Sequence, residues 1–366
     1  MDEQRSLYEH LIDSGTLIDY DSLSLECKFS ESLWSGIYSA DNQQPPKVSG
    51  GCSVIAIAYH ELSKLGQDGE FLNRQAIYKC IRLARSMPAV TGTVLELAVE
   101  LMMVHLCLQL HPFIDGNFLV QVNPNYAYAE DKIISNAKRI VSHFRLLQPD
   151  FDTKRVCIKI PATWEGLQAC RKLEASGIST LATIVFSLPQ VALAGYGGCH
   201  YIAPYVKELP VHFDPNYVER NPPDLWLLDT AQRYFKCRNK KTQVMAASIT
   251  STDDVMKLAG VNHVTLPPKL ISELIETKYS ESQPRSIMRP GEPLPMLTME
   301  NLELILDDKS AWRLELTKSE GGKSEAKLVQ ALGIFCNFQD KLEMLVGDIL
   351  ANVDQRWALG ADLGAA

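Results

Sequence analysis

Hydrophobic and polar positions along this chain follow two periods, one typical of strands and one typical of helices. Val156 to Ile160 alternates apolar and polar residues as a strand does, and Pro161 ends the run. Thr163 then caps a helix with apolar residues at helical spacing, and Gly177 ends it before a second strand, Thr180 to Phe186. Strand, helix and strand make one βαβ unit. Repetition of this unit predicts a parallel sheet, either closed or open.

The same two periods place further elements along the chain. Helices are predicted over 1–14, 53–65, 69–87, 93–110, 131–147, 225–235, 251–259 and 324–350, and strands over 16–20, 117–125, 243–248 and 263–266. The second strand can be placed only loosely, near the end of the irregular segment 26–48. The segment 311–315 is interpreted as a link.

Composition excludes several classes of protein. The 366 residues could form two average domains or one α/β barrel, and 46% hydrophobic with 22% charged residues is ordinary for a globular chain. A net charge of −8 without a long basic run argues against nucleic acid or an anionic membrane surface as a partner. The expected partner is therefore a small molecule.

The cysteines and the N-terminus indicate the compartment. Nine dispersed cysteines, with no CxxC pair, are typical of buried thiols in a reducing environment. The N-terminal residues lack the layout of a secretory signal, and no apolar run reaches the length of a membrane span. We therefore expect a cytoplasmic protein that does not enter a membrane.

Lys159 is the most informative candidate for chemistry. It lies near the carboxyl end of the buried strand, between two isoleucines. Apolar surroundings lower the pKa of an ammonium, and the free amine is a nucleophile for carbonyl carbon. Lys159 is thus a candidate for Schiff-base chemistry. The alternative is a structural lysine that reaches solvent or pairs with a carboxylate.

Three sequence blocks carry a resemblance to a known family. IKIPATWEGLQA, GISTLATIVFS and YIAPYVKEL, at 158–169, 177–187 and 201–209, resemble the transaldolase family in residues and in spacing. Weaker matches, TLIDYD and QDKLEMLVGDIL, extend toward both ends of the chain. The resemblance implies one domain over residues 1–366. Its fold is a (β/α)8 TIM barrel with additional N-terminal, inserted and C-terminal helices.

The resemblance also implies a reaction. Lys159 forms an imine with a ketone donor, and a dihydroxyacetone-type unit passes to an aldehyde without a cofactor or a metal. Of Asp19 and Asp21, one is expected to enter the site as acid/base group, and Asp19 is the better match in register. Thr183 approaches the reacting centre. Gln121 stands where the family has a water-activating Glu, and an amide can orient water but cannot act as a base.

The resemblance further predicts the substrate contacts. The side chains expected to contact substrate are Gln44, Asn123, Trp164, Tyr205 and Ser248. Family members are often dimers, so a homodimer is expected.

Several positions depart from the family's pattern. Leu181 replaces an Asn, Ala203 replaces a phosphate-binding Ser, and Glu208 and Thr250 stand where two arginines hold a phosphate. Each charge-assisted contact is worth about 1.5–3 kcal/mol, so two losses weaken a sugar phosphate roughly a hundredfold or more.

Three hypotheses remain open after these departures. The chain is a transaldolase-like transferase, a divergent Schiff-base enzyme for an unphosphorylated carbonyl compound, or a binding protein on the same barrel. Lys207, or Arg285 and Arg289, are the alternative cations for a phosphate.

Overall fold

Eight parallel strands close into a barrel, each paired with the next and the last with the first. The computed structural model describes residues 5–24, 48–88, 92–219, 225–289, 291–292, 294 and 301–358, with side chains to residue 351. The strands are β1 Leu17–Tyr20, β2 Val48–Ser53, β3 Ile114–Gln121, β4 Val156–Pro161, β5 Ser179–Val185, β6 Tyr201–Pro204, β7 Gln243–Ala246 and β8 His263–Leu266. The predicted (β/α)8 TIM barrel is confirmed.

Helices surround the barrel and link its strands. In chain order they are α1 Leu7–Asp13, α2 Ile55–Leu62, α3 Arg74–Ser86, α4 Val94–Gln109, α5 Glu130–Leu147, α6 Trp164–Ala175, α7 Leu188–Gly197, α8 Trp226–Cys237, α9 Thr252–Lys257, α10 Pro268–Glu276, α11 Lys309–Lys318 and α12 Lys323–Ala358. Within the described ranges, no helix has both the length and the apolar character that crossing a bilayer requires.

Strand β2 differs from its prediction. Its sequence, VSGGCS, contains two adjacent glycines and none of the alternation that marks a strand, and Ser53 ends it rather than opening a helix. A Cβ on Gly50 would lie 2.2 Å from Asp19 Oδ1, and a Cβ on Gly51 would lie 2.2 Å from Ile114 Cδ1. The glycines therefore let β2 pack closely between β1 and β3. This tertiary requirement hides the strand from pattern analysis.

The interpretation of 311–315 as a link was wrong, because these residues lie inside α11. Asp308 Oδ1 caps the helix by accepting from the backbone N–H groups of Ser310 and Ala311, at 2.9 and 3.0 Å. Trp312 and Leu316, four residues apart, are buried on one face. The Trp312 indole also donates to the Pro189 carbonyl over 2.8 Å, which fixes α11 against α7.

Helix α12 packs against α2 and α4 and brings Phe335 to the carboxyl end of the barrel. Ser324, near its start, donates to the Phe186 carbonyl just after β5 over 2.9 Å. The predicted C-terminal helix is thus present, and one of its inward-facing residues reaches the region where a barrel places its active site.

The TWEG sequence after β4 has a structural explanation. Thr163 Oγ1 accepts from the Gly166 N–H over 2.9 Å and donates to the Ala127 carbonyl over 2.5 Å. Glu165 pairs with Lys309 and Arg313 at 2.8 Å each. A Cβ on Gly166 would lie 2.0 Å from the Pro161 carbonyl oxygen. The motif therefore fixes the start of α6 against the end of the strand that carries Lys159.

Two glycine substitutions test this packing. Gly166→Ala should lower the free energy of unfolding by about 1–3 kcal/mol, because the new methyl group meets backbone that cannot move aside. A Cβ on the exposed Gly333 in α12 would have no atom within 4 Å. Gly333→Ala should therefore raise the free energy of unfolding by about 0.5–1 kcal/mol. Urea unfolding of both variants measures the difference. If Gly166→Ala were as stable as the wild-type protein, the close approach of backbone at Gly166 would be contradicted.

Candidate active site

A cavity of about 200 Å³ opens at the carboxyl ends of the strands. It lies where barrel enzymes place their catalytic groups. Its lining comes from segments after β1, β2, β6, β7 and β8, from β4 and β8 themselves, and from α12. The lining residues are Asp21, Val54, Ala56, Ile57, His60, Lys159, Tyr205, Leu209, His212, Phe213, Ala247, Ser248, Ile249, Thr265, Pro267 and Phe335.

Lys159 lies at the inner end of this cavity and is 3% exposed. Its Nζ donates to Cys52 Sγ over 3.5 Å. In the register of the sheet, Lys159 on β4 lies beside Gln121 on β3 and Leu181 on β5. Within the described part of the chain, the amine therefore has a thiol from β2 as its hydrogen-bond partner rather than a carboxylate.

Opposing effects set the pKa of Lys159. Burial lowers it, and negative charge on Cys52, Tyr205 and Asp21 outweighs burial, so that the pKa of Lys159 is raised. Burial also raises the pKa values of the Cys52 thiol and the Tyr205 phenol, so neither group is anionic near neutral pH. The contributions of Cys52 and Tyr205 to the raised pKa of Lys159 are therefore absent near neutral pH.

The two acidic residues of the first strand region occupy different depths. Asp19 is buried below the cavity, where its carboxylate accepts from His263 Nδ1 at 2.7 Å and from Ser49 Oγ at 3.3 Å. Asp21 lines the cavity with Lys159, and its Oδ1 is buried without a hydrogen-bond partner among the described residues. One of the two carboxylates thus lines the cavity, and it is Asp21 rather than Asp19. Residues two apart in an extended chain point to the same side, so the two differ in depth.

The position of Asp19 does not suit it for work on a substrate. Burial raises the pKa of its carboxyl, while the hydrogen bond and the charge of His263 lower it. Both carboxylate oxygens are already engaged by protein groups. Asp21 lines the cavity and keeps one oxygen without a partner among the described residues, which makes it the better candidate for an acid/base group.

Gln121 and Thr183 lie close to the catalytic candidate without lining the cavity. Gln121 Oε1 accepts from the Ile55 N–H over 3.2 Å, and its Nε2 is buried without a partner within the described part of the chain. Thr183 donates to the Tyr205 hydroxyl over 3.4 Å. Tyr205 itself lines the cavity, as predicted for a substrate contact.

Ser248 contacts His212, a residue that the sequence did not indicate as part of a site. Its hydroxyl lies 2.8 Å from His212 Nε2, and both residues line the cavity. Ser248 has φ of +60°, a conformation that turns the chain at the end of β7. His212 stands in a short turn after β6 within no recognised motif, so only the folded chain could bring it to the site.

The other predicted substrate contacts lie elsewhere or cannot be placed. Trp164 packs on Trp312, with ring centroids 5.5 Å apart, and is not among the lining residues. The Asn123 side chain accepts from the Asn125 N–H over 3.0 Å, in the turn after β3. Gln44 falls outside the described residues.

The expected replacements for the phosphate arginines also lie outside the cavity. Glu208 accepts from the Tyr217 hydroxyl, and Thr250 is exposed. Lys207 pairs with Glu219 and Asp254, at 3.5 and 3.8 Å. None of these three residues lines the cavity, although Glu208 and Thr250 stand where the resemblance expects phosphate-binding arginines.

Neither arginine proposed from the later loop replaces them. Arg285 and Arg289 are exposed and are absent from the lining. Arg289 instead pairs with Glu292 at 3.3 Å. In the described lining of the cavity, His212 and Ser248 follow β6 and β7, and no arginine accompanies them.

Comparison with known families agrees with the barrel fold. The model of the Transaldolase/Fructose-6-phosphate aldolase family matches residues 70–321. The chain belongs to this family. The resemblance carried by the three sequence blocks is thereby confirmed, and membership supports a class I aldolase-type function.

Over the described ranges, no group of three or more His, Cys, Asp or Glu side chains has the arrangement to hold a metal ion.

Paired carboxylate variants distinguish Asp21 from Asp19. Asp21→Asn should slow exchange of the α-protons of hydroxyacetone into heavy water about a hundredfold or more, because a general base contributes on that order. Asp19→Asn should instead lower stability by about 1–3 kcal/mol through the weakened contact with His263. Nuclear magnetic resonance and thermal unfolding measure the two effects. A larger loss of exchange in folded Asp19→Asn would transfer the acid/base role to Asp19.

Proposed function

We propose that this protein is a Schiff-base aldolase or transferase that acts on an unphosphorylated carbonyl compound through Lys159. The observation that carries the proposal is one cavity lined by a buried lysine amine and by a carboxylate with an oxygen unpartnered among the described residues. An amine and a base within one enclosed site are the two groups that imine-based carbon–carbon chemistry needs.

The reaction begins with addition of the neutral Lys159 amine to the ketone carbonyl. Loss of water from the carbinolamine gives an iminium ion, which withdraws electrons from the neighbouring carbon–carbon bond. Asp21 takes the proton from the β-hydroxyl as that bond breaks and an aldehyde leaves. The enamine on Lys159 then adds to an acceptor aldehyde or takes up a proton, and water releases the product.

Neighbouring polar groups support these steps. Gln121 Nε2, unpartnered within the described ranges, lies on the strand beside Lys159 and can hold the water that enters or leaves. The Thr265 hydroxyl, likewise unpartnered there, lines the cavity and can bind a substrate oxygen. Tyr205 and Thr183 form a hydrogen-bonded pair beside the amine.

The charge of the cavity supports an unphosphorylated substrate. Lys159 is the only lysine or arginine among the described residues that line it. Burial lowers the pKa of His212 and of His60, so both are neutral near pH 7. A phosphate dianion would thus enter a partly buried site without a guanidinium or a second ammonium from the described lining to bind it. This favours the divergent enzyme over dihydroxyacetone transfer between sugar phosphates.

Borohydride trapping tests the Schiff base. Hydroxyacetone and borohydride should add one reduced adduct at Lys159, located by peptide mass spectrometry, and Lys159→Met should abolish it. Lys269→Met is the matched control, because Lys269 is 87% exposed on α10 and should leave the adduct unchanged. The trapping rate should rise with pH from about 6 to 9, since each unit below the lysine pKa lowers the free amine about tenfold. Absence of an adduct with every carbonyl tried would refute the proposal.

Matched sugars test the charge of the substrate. Fructose 6-phosphate should form the reduced adduct no faster than fructose at equal concentration of the open-chain ketone, because no guanidinium fork from the described lining binds its phosphate. Competition with inorganic phosphate should likewise leave the hydroxyacetone adduct unchanged. A hundredfold preference for the phosphate ester would instead support transaldolase activity on sugar phosphates.

A further inference from the structure

One wall of the cavity is aromatic and comes from three separate segments. His60 lies on α2, Phe213 follows the turn after β6, and Phe335 lies on α12; all three line the cavity. Ile57 and Leu209 complete this wall with aliphatic surface.

The rings of this wall are held in fixed orientations. His60 and Phe213 are nearly parallel, at an interplanar angle of 14° and with centroids 6.3 Å apart. Phe338, behind them on α12, contacts both rings, with centroids 5.4 Å from His60 and 4.9 Å from Phe213. Phe213 nevertheless remains 37% exposed. A supported ring with an open face is suited to stacking against a flat group.

One cation, Lys341, lies close to the aromatic side chains of this wall. Lys341 lies over the Phe338 ring at 5.0 Å and over Tyr59 at 5.7 Å, and it is not among the lining residues. The charge of Lys341 also lowers the pKa of His60, after the larger effect of burial. His60 is therefore a neutral ring, and the wall offers apolar surface to a ligand.

The volume of the cavity limits the size of the ligand that can bind beside Lys159. A cavity of about 150 Å³ lined by apolar side chains can hold one benzene molecule. The cavity beside Lys159, about 200 Å³, therefore has room for one ring and a short carbonyl chain that reaches the amine.

We infer that the substrate of this site carries a single flat apolar ring, so that the aldehyde released or accepted is an aryl aldehyde. This inference rests on the proposed Schiff-base function. In the cleavage direction, a β-aryl-β-hydroxy ketone forms the iminium ion on Lys159 and transfers its hydroxyl proton to Asp21. The bond between the α- and β-carbons breaks, the aryl aldehyde leaves, and protonation and hydrolysis of the enamine release the ketone.

Two matched aldols test the inference. The wild-type protein should cleave the aldol of benzaldehyde and acetone with kcat/KM about threefold to tenfold above that of the acetaldehyde–acetone aldol, chiefly through a lower KM. Phe213→Ala should remove most of this preference. Val218→Ala is the control, because Val218 is 79% exposed in the same segment and does not line the cavity. It should leave the preference unchanged.

The outcomes separate the inference from the function on which it rests. Equal or better cleavage of the acetaldehyde aldol overturns the aryl inference and leaves the Schiff-base function standing. Failure of both aldols, together with no borohydride adduct, overturns the function itself. Faster trapping of fructose 6-phosphate than of the aryl ketone, lost in Lys341→Ala, would show that Lys341 turns inward to bind phosphate and would also overturn the inference.

Discussion

The burial of one primary amine at the end of a parallel strand is the constraint around which this structure is arranged. Lys159 lies in a strand whose six residues are all buried, and among the described residues its Nζ bonds to a thiol and to no carboxylate. An ammonium in such a place is costly, whereas a neutral amine is not. Burial at the barrel end thus favours the neutral amine, but the neighbouring acidic groups outweigh burial and raise the pKa of Lys159.

The sequence features that identify the family mostly hold that amine in place. Thr163 caps α6, Gly166 permits contact with the strand end, and Glu165 ties the helix to α11. Trp164 packs on Trp312 instead of lining the cavity. A motif that looks catalytic in the sequence is therefore largely a rigid support, and such support is what keeps a reacting group in position.

The lining of the cavity combines a neutral polar pair with an aromatic wall. His212 and Ser248 form a neutral pair, and aromatic side chains from three segments make up one wall. Below the cavity, the Asp19–His263 pair lies inside the barrel with both carboxylate oxygens engaged. The two carboxylates, one in β1 and one just after it, thus differ: the deeper Asp19 is bound by protein groups, and Asp21 lines the cavity with one oxygen unpartnered among the described residues.

The sequence alone determined the βαβ units, the strand that carries Lys159 and, through the resemblance of its motifs, the family and its barrel, because hydrophobic periodicity and a long motif are local properties of the chain. It failed at β2, where two glycines replace the usual alternation, and at α11, where a cap and two buried residues were interpreted as a link. Only the tertiary structure decided which carboxylate reaches the cavity, since Asp19 and Asp21 differ in depth and not in direction. Only the tertiary structure shows that His212 contacts Ser248 and that Glu208 contacts Tyr217 outside the cavity. Contacts between loops of different strands depend on the closure of the whole barrel.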